Sequence, residues 1–588
     1  MYFLIISTIL TRHKSIHFNW IILMDEFVNQ MKSPPKDQSL RLSLSFFIAA
    51  IAGYQLRTFL LWDPIKIAQY GFLIDDAYFY AVLAKNFIHH HILTLDGTMP
   101  TTGVQPLWMC FQIILNSIFS KVDSVTLITV SSWLCYILFT FLLVWLLNRT
   151  PSIATLLATT FMSGLLLLQP AFQFMVMRGL ETPLMLVILI FTLIIFDQIF
   201  NNENQTTTHV TIRQSSLLAL LSALLFFART DLFWAPIVIF IWLLIKGGGN
   251  VKNLAIFTAI LFLLITPYLY FNYATGQNIM PISGRVKLFY LHTCCPDMQS
   301  YIHSTEWHGP FHLFDINLGL ILLPIGRIVR YALILLLIAI TLIIVWEKRH
   351  TKIFPSSLYL LSLIISFHLT YLQFFYRELR PYTAYYFLPE LLFVTLTMAY
   401  SLKYMFINFK HHPQTTNTKK LLLYYIQRYL WIAPLAYSLS ILIGSHLKVS
   451  YSPKEYWIQR FKLAEDISHL VPPDEKVAAF WPGLFAQYSG RPIIPLDGII
   501  GSDEYFQQYV KTGNEIKFIR ENGVKYLIVY CHKNIDSVLS TDKLTMNDWA
   551  MRGIQLVWEN KNDIAGVLSR RLIQPNGEGW YLLEVNIH

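Results

Sequence analysis

Charge is what this sequence has least of. Lys, Arg, Asp and Glu make up only 14% of its 588 residues, while hydrophobic residues make up 55%. An ordinary soluble domain carries about 25% charged residues, so a soluble globular protein is excluded. Cysteine is scarcer still. The chain has five, Cys110, Cys135, Cys294, Cys295 and Cys531, and no CxxC pair, which removes disulfide scaffolds and CxxC motifs. A bridge between the adjacent Cys294 and Cys295 would be strained, which leaves a link from one of them to Cys531 as the alternative. No Gly-rich loop cradles a phosphate, no segment repeats, no low-complexity linker divides the chain, and no Ser/His/Asp order points to a hydrolase.

What is present is apolar runs of near-spanning length, at 42–61, 254–272, 331–346 and 421–444. About 20 such residues cross a hydrocarbon core. The net charge of +10 needs no nucleic acid partner, because membrane proteins gather Lys and Arg in cytoplasmic loops. Residues 2–10 are too short to span, 11–38 are mixed and polar, and no signal-peptide cleavage site follows; Met24 and Met31 are alternative starts.

Spans are expected near 42–61, 124–147, 153–173, 183–200, 215–228, 232–246, 254–272, 328–346, 356–374, 385–402 and 421–444. The basic connections at 246–252, 347–352 and 403–420, with Arg149 and Arg213, all fall in the cytoplasm if there are about eleven spans and the N-terminus is inside. The range is about ten to thirteen. This scheme needs 106–120 to dip into the outer leaflet without crossing. The fold class expected is a polytopic α-helical membrane protein with three parts: a cytoplasmic segment 1–41, a transmembrane module 42–444 with outer loops 62–121 and 273–327, and an extracytoplasmic mixed α/β domain 445–588. In that tail Ser452-Pro453-Lys454-Glu455 reads as a helix start, followed by Trp457, Phe461, Ala464 and Ile467 at helical period. Strands are expected at 476–480, 492–496, 524–530 and 580–585.

The richest stretch for chemistry is 72–109. Asp75 and Asp76 open an amphipathic helix whose apolar face, Tyr80, Leu83, Ala84, Phe87 and Ile88, should lie on the outer surface of the bilayer. Two readings stand. Asp75 caps the helix and Asp76 favours its dipole, or one acid is a general base at the membrane–water boundary. Arg285 and Lys287, just beyond a long span, either hold a phosphate or snorkel to lipid headgroups. Arg229 and Asp231 interrupt an apolar stretch, as a donor site or a structural pair. Arg178 and Glu181, one turn apart, are a local pair or support an acceptor. His89, His90 and His91 read as an interfacial loop. Neither they nor His292, Cys294, Cys295 and His303 have a diagnostic metal spacing. No cofactor is expected, a divalent metal being the sole alternative.

The pattern IDDAYFYAVLAKN…LDGTMPTTGVQPLW resembles the first outer loop of the GT-C glycosyltransferases, in particular the bacterial branch of arabinofuranosyl, aminoarabinose and protein-mannose transferases. Further stretches are similar in order: Arg178-Gly179-Leu180-Glu181-Thr182-Pro183, Ala228-Arg229-Thr230-Asp231, residues 276–287, and in the tail 491–498 and 523–529. The resemblance implies a sugar donor linked to polyprenyl phosphate and an acceptor that is a glycan, a lipid or a protein. It also implies a site at the outer face of a bacterial cytoplasmic membrane, among membrane lipids. It places the base on the first acid, Asp75, with Asp76 orienting the helix or acceptor. Phosphate contacts then fall to Arg285, Lys287 and Arg229. The branch often has an Arg-Tyr pair before a late Pro; here the stretch is Tyr385-Tyr386-Phe387-Leu388-Pro389, with Arg380 nearby to supply the charge. The rival classes are a transporter or flippase, which should show related halves around a midplane site, and a non-catalytic scaffold for envelope assembly.

Overall fold

The structure is a computed structural model that describes residues 36–148, 153–168, 170–200, 210–246, 250–293, 355–375, 388–408, 454–531, 535–539, 544–547, 555–558 and 564–586. Residues 1–35 of the N-terminal segment, the expected spans 328–346 and 421–444, and Arg380, Cys294, Cys295 and His303 lie outside the described residues.

The long helices follow the apolar runs: α1 (Lys36–Gln55), α2 (Asp75–His90), α3 (Pro106–Ile118), α4 (Ser124–Leu147), α5 (Thr182–Phe200), α6 (Ile212–Ala228), α7 (Trp234–Lys246), α8 (Val251–Gly276), α9 (Ser356–Phe375) and α10 (Leu388–Asn408). Of these, α4, α5 and α8 are long and apolar enough to cross a membrane. Polar residues at their starts set the boundaries. Asp123 accepts from Val125 N at 2.8 Å to cap α4, Asn250 accepts from Lys252 N at 3.1 Å to cap α8, and Thr211 with Gln214 forms a capping box on α6. The stretch expected as one span at 153–173 is instead broken into Ile153–Met162, a π-turn at Ser163–Leu167 and Pro170–Val176. Helix α3 has 13 residues, so it is about 20 Å long, short of the roughly 30 Å hydrocarbon core.

The tail begins with α11 (Glu455–Leu470) and α12 (Gly483–Tyr488). Its strands are β1 (Val477–Ala479), β2 (Ile493–Pro495), β3 (Tyr526–Cys531), β4 (Leu544–Asn547), β5 (Gln555–Trp558), β6 (Ile564–Leu572) and β7 (Gly579–Val585). Five of them form one mixed sheet in the order β2-β1-β3-β7-β6, and β4 pairs with β5. β1 runs parallel to β2 and β3, whereas β7 is antiparallel to β3 and β6. The four expected strands are all present; β6 and the β4–β5 pair were not anticipated. Cys531, at the end of β3, is a free buried thiol; the partners weighed for it, Cys294 and Cys295, lie outside the described residues.

The sheet is buried on both faces, and its period of two assigns each face a different core. Val477, Ala479, Ile493, Tyr526, Ile528, Tyr530, Trp580 and Leu582 join an apolar core that runs through α2 into the helix bundle. Ala478, Ile494, Leu527, Val529, Tyr581 and Leu583 join a second core, which also takes in Ile282 and Val286 from the helix Ile282–Thr293. The tail is therefore packed onto α2 and the helix Ile282–Thr293 rather than tethered to them. The placement of α2 corrects the expectation of a helix lying on the lipid surface. Its apolar residues Tyr80, Leu83 and Ala84 are buried, but so are Ala77, Tyr78, Ala81 and Val82 of the other faces, because the tail covers what the bundle does not.

Candidate functional site

Helix α2 presents its two acids to different surroundings. Its N-cap is Ile74, without a side-chain cap bond. Asp75 does not cap its own helix; it reaches the tail. One carboxylate oxygen accepts from Arg460 Nη2 at 2.5 Å and Leu484 N at 3.0 Å, and the other from Gly483 N at 2.9 Å. Asp75 is 1% exposed and Arg460 0%. Burial pushes the Asp75 carboxyl up to about 6, against the opposing pull of Arg460 and the two backbone N–H groups. Asp76, the next residue, is half-buried, and among the described residues no hydrogen bond or ion pair holds its carboxylate.

One turn further along α2, Tyr80 leads into a chain of polar contacts inside the bundle. Its hydroxyl donates to Glu181 Oε2 at 3.5 Å and accepts from Gln105 N at 3.2 Å. Gln105 Oε1 in turn accepts from Thr230 N at 3.0 Å. Helix α6 ends where Arg229 turns extended, at φ −148° and ψ 112°, and one 3-10 turn over Thr230–Leu232 leads to α7. That turn folds Arg229 back on Asp231, Nε to Oδ1 at 3.0 Å and Nη2 to Oδ2 at 2.6 Å, while Nε also lies 3.9 Å from Glu181. Asp231 Oδ2 next meets His368 Nε2 on α9 at 3.4 Å, and His368 Nδ1 meets Glu390 Oε1 on α10 at 2.6 Å. Both ring nitrogens face carboxylates, an arrangement that the doubly protonated ring satisfies.

The expected residues thus separate. Asp76, Glu181, Arg229 and Asp231 gather around Tyr80, and the Lys287 charge acts on Glu181. Glu181 pairs with Tyr80 and Arg229; Arg178 sits over the Phe174 ring at 4.9 Å, and its carbonyl accepts from Ile74 N at 3.3 Å. Arg285 leaves the group. It is ion-paired to Asp503 of the tail and lies 5.5 Å from the Phe506 ring centre. Among the described residues no three His, Cys, Asp or Glu side chains are placed to hold one metal ion.

Sequence reasoning missed Arg460, His368 and Glu390, yet each left a signal. Arg460 falls on the apolar stripe of α11, between Trp457 and Phe461 on one side and Ala464 on the other; a cation in such a stripe needs a buried acid. His368 and Glu390 are ionisable residues within expected spans, which face partners or cavities by default.

No family model matches the chain, and no curated protein matches it either. Solved structures do. ArnT from Cupriavidus metallidurans, bound to undecaprenyl phosphate, superposes with a TM-score of 0.51 at 8% identity, covering 92% of this chain and 97% of that one. The archaeal oligosaccharyltransferase AglB from Archaeoglobus fulgidus, in complex with an inhibitory peptide and a dolichol-phosphate, gives a TM-score of 0.45 at 12% identity, with 84% and 69% covered. The fold is that of the GT-C glycosyltransferases.

Proposed function

We propose that this chain transfers a sugar from a polyprenyl-phosphate donor to an envelope acceptor at the outer face of a bacterial cytoplasmic membrane, with Asp76 as the general base. The observation that carries the reading is the half-buried Asp76 carboxylate, held by no hydrogen bond or ion pair among the described residues, at one end of the Tyr80–Glu181–Arg229–Asp231 chain, on a fold shared with a protein bound to undecaprenyl phosphate. Asp75, by contrast, already accepts three hydrogen bonds, two on Oδ1 and one on Oδ2.

The acceptor hydroxyl gives its proton to Asp76 as its oxygen bonds to the anomeric carbon. The bond from that carbon to the phosphate oxygen breaks, and the phosphate departs on its lipid with the electron pair. Lys287 and Arg229 supply positive charge for the phosphate, where contacts to an ionised partner are strong. In this reading about eleven spans leave the tail outside the cytoplasm, and a cytoplasm-only reporter fused after His588 should be silent. The decisive experiment supplies the purified chain with polyprenyl-phosphate sugars and with nucleotide sugars, alongside a mass comparison of envelope glycolipids from cells with and without the gene. Transfer from the lipid donor alone is the expected result. A preference for the soluble nucleotide sugar would end the proposal.

A further inference from the structure

The two surfaces that meet at Asp75 are built to touch. Gly483 lies against the Asp75 backbone carbonyl, Gly71 against the Trp457 ring, and Gly103 against the Ile499 carbonyl; a Cβ at any of the three would collide with its neighbour. Each contact joins an outer-loop residue to a tail residue, so the fit recurs along the seam and is not confined to one pair. Arg460 is held in a box of aromatic rings, with Phe485, Trp580 and Trp457 centred 4.9, 5.2 and 5.3 Å from its guanidinium carbon. Trp481 adopts φ 55°, a left-handed backbone that costs a bulky residue energy, and its carbonyl accepts from Arg460 Nη2. The same short turn, Trp481-Pro482-Gly483-Leu484, presents the two N–H groups that Asp75 takes.

We infer that Arg460 is a positioning residue: through Asp75 it clamps the first turn of α2 onto the tail, and so fixes the direction of the adjacent Asp76. The tail is then a working part of the site. This rests on the proposed function for its consequence, though the clamp itself does not. The Asp75 backbone carbonyl, both its side-chain oxygens and the residue before Asp76 are all fixed by tail atoms, which leaves Asp76 little freedom except at its own side-chain torsions.

The test uses the full chain in detergent or nanodiscs, with Arg460→Lys, Arg460→Met and the double variant Asp75→Asn/Arg460→Met. Amide exchange over residues 75–80 reads the clamp without reference to activity. Exchange there should rise in Arg460→Met and stay near wild type in Arg460→Lys, which keeps a cation beside Asp75. Unchanged exchange in a folded Arg460→Met chain overturns the clamp. With a lipid-linked sugar donor, Arg460→Met should lose about ten- to a hundredfold in kcat with little change in donor KM, since a misplacement of about 1 Å can cost about 10² in rate, and Arg460→Lys should recover most of it. A raised exchange with an unchanged kcat overturns the positioning role. The double variant keeps the inference testable if Arg460→Met fails to fold, because it leaves no unpaired buried charge. Its kcat loss should be smaller than the product of the two single losses, or, where one single is unfolded, it should still show raised exchange and reduced kcat. If wild type itself transfers no sugar from any lipid donor, the proposed function fails, while the exchange result still decides the clamp.

Discussion

On its tail side, α2 meets a tightly packed arrangement: one acid accepts from one guanidinium and two backbone N–H groups, while Arg460 Nε and Nη1 lie against aromatic rings without a hydrogen-bond partner among the described residues. On its bundle side it meets an open one. There Glu181, Asp231 and Glu390 are set against Arg229 and His368, and among the described residues one oxygen of Glu390 has no hydrogen-bond partner and no bond or ion pair holds Asp76 at the near end. Both regions bury charge, which is expensive unless every group is satisfied. The tail side uses its ion pair to hold two parts of the chain together. The bundle side leaves carboxylate acceptors unspent, and under the proposed function an acceptor hydroxyl would complete the pairing there.

The sharpest break in this comparison is between the two neighbouring acids. Asp76→Asn should leave expression and fold intact and lower turnover by about 10²–10⁴. Asp75→Asn should cost about tenfold, because its role is to hold a turn in place. Measuring kcat for both separates them. If Asp75→Asn took the larger loss and Asp76→Asn the smaller, the base would be Asp75, as the motif alone implies. Next in size is Arg229→Met, which strands Asp231 and Glu181 without their cation. It should destabilise the folded chain by about 3–5 kcal/mol, and Arg229→Met with Asp231→Asn should recover part of that, read from thermal unfolding midpoints. A single variant as stable as wild type would mean that Arg229 is no part of the buried chain.

Much of this was legible from the residues. The start of α4 is set by an Asp cap before a long apolar run, and both ends are found where the hydropathy put them. The central strands fall within a residue or two of the β-branched and aromatic runs that announced them. What was not legible depended on contacts far along the chain. The period of α2 marks one apolar face, but the cover on its other faces comes from α12, roughly 400 residues later, and local periodicity carries no record of it. For the same reason the cap reading of Asp75 missed that it serves the turn before another helix, and neither reading of Arg285 included the Asp503 that pairs with it. Adjacent acids look alike in sequence; only tertiary packing tells which one is spent.

A smaller effect tests how the tail side holds its charge. Burial raises the Asp75 carboxyl from 3.8 to about 6 despite Arg460. Between those values the folded chain binds more protons than the unfolded one, so this site's contribution to stability is greatest in acid and declines as pH rises through about 6. Asp75→Asn cannot titrate. Wild type should therefore gain on the variant, in unfolding midpoint, as pH falls from about 7 toward 4. A wild-type advantage that shrinks in acid would show that Arg460 outweighs burial and keeps Asp75 ionised.

The least effect is expected at a buried acid that belongs to neither region. Glu515 opens the helix Glu515–Glu521 in the tail, is 5% exposed, and has no ion-pair partner among the described residues. Burial pushes its carboxyl from 4.5 up to about 7, with its own backbone N–H pulling weakly the other way. The sign follows as for Asp75: the proton is held in the folded state, and the stability tied to it is lost as pH rises through about 7. Here, unlike at Asp75, no cation is stranded when the acid is removed. Glu515→Gln keeps the shape and the neutral form at every pH. It should match wild type near pH 5 and exceed it by on the order of 2 °C in unfolding midpoint near pH 8, with sugar transfer unaffected, since no contact joins Glu515 to the α2 site. Equal midpoints across that range would place Glu515 in contact with water and make the tail's second core looser than its packing indicates.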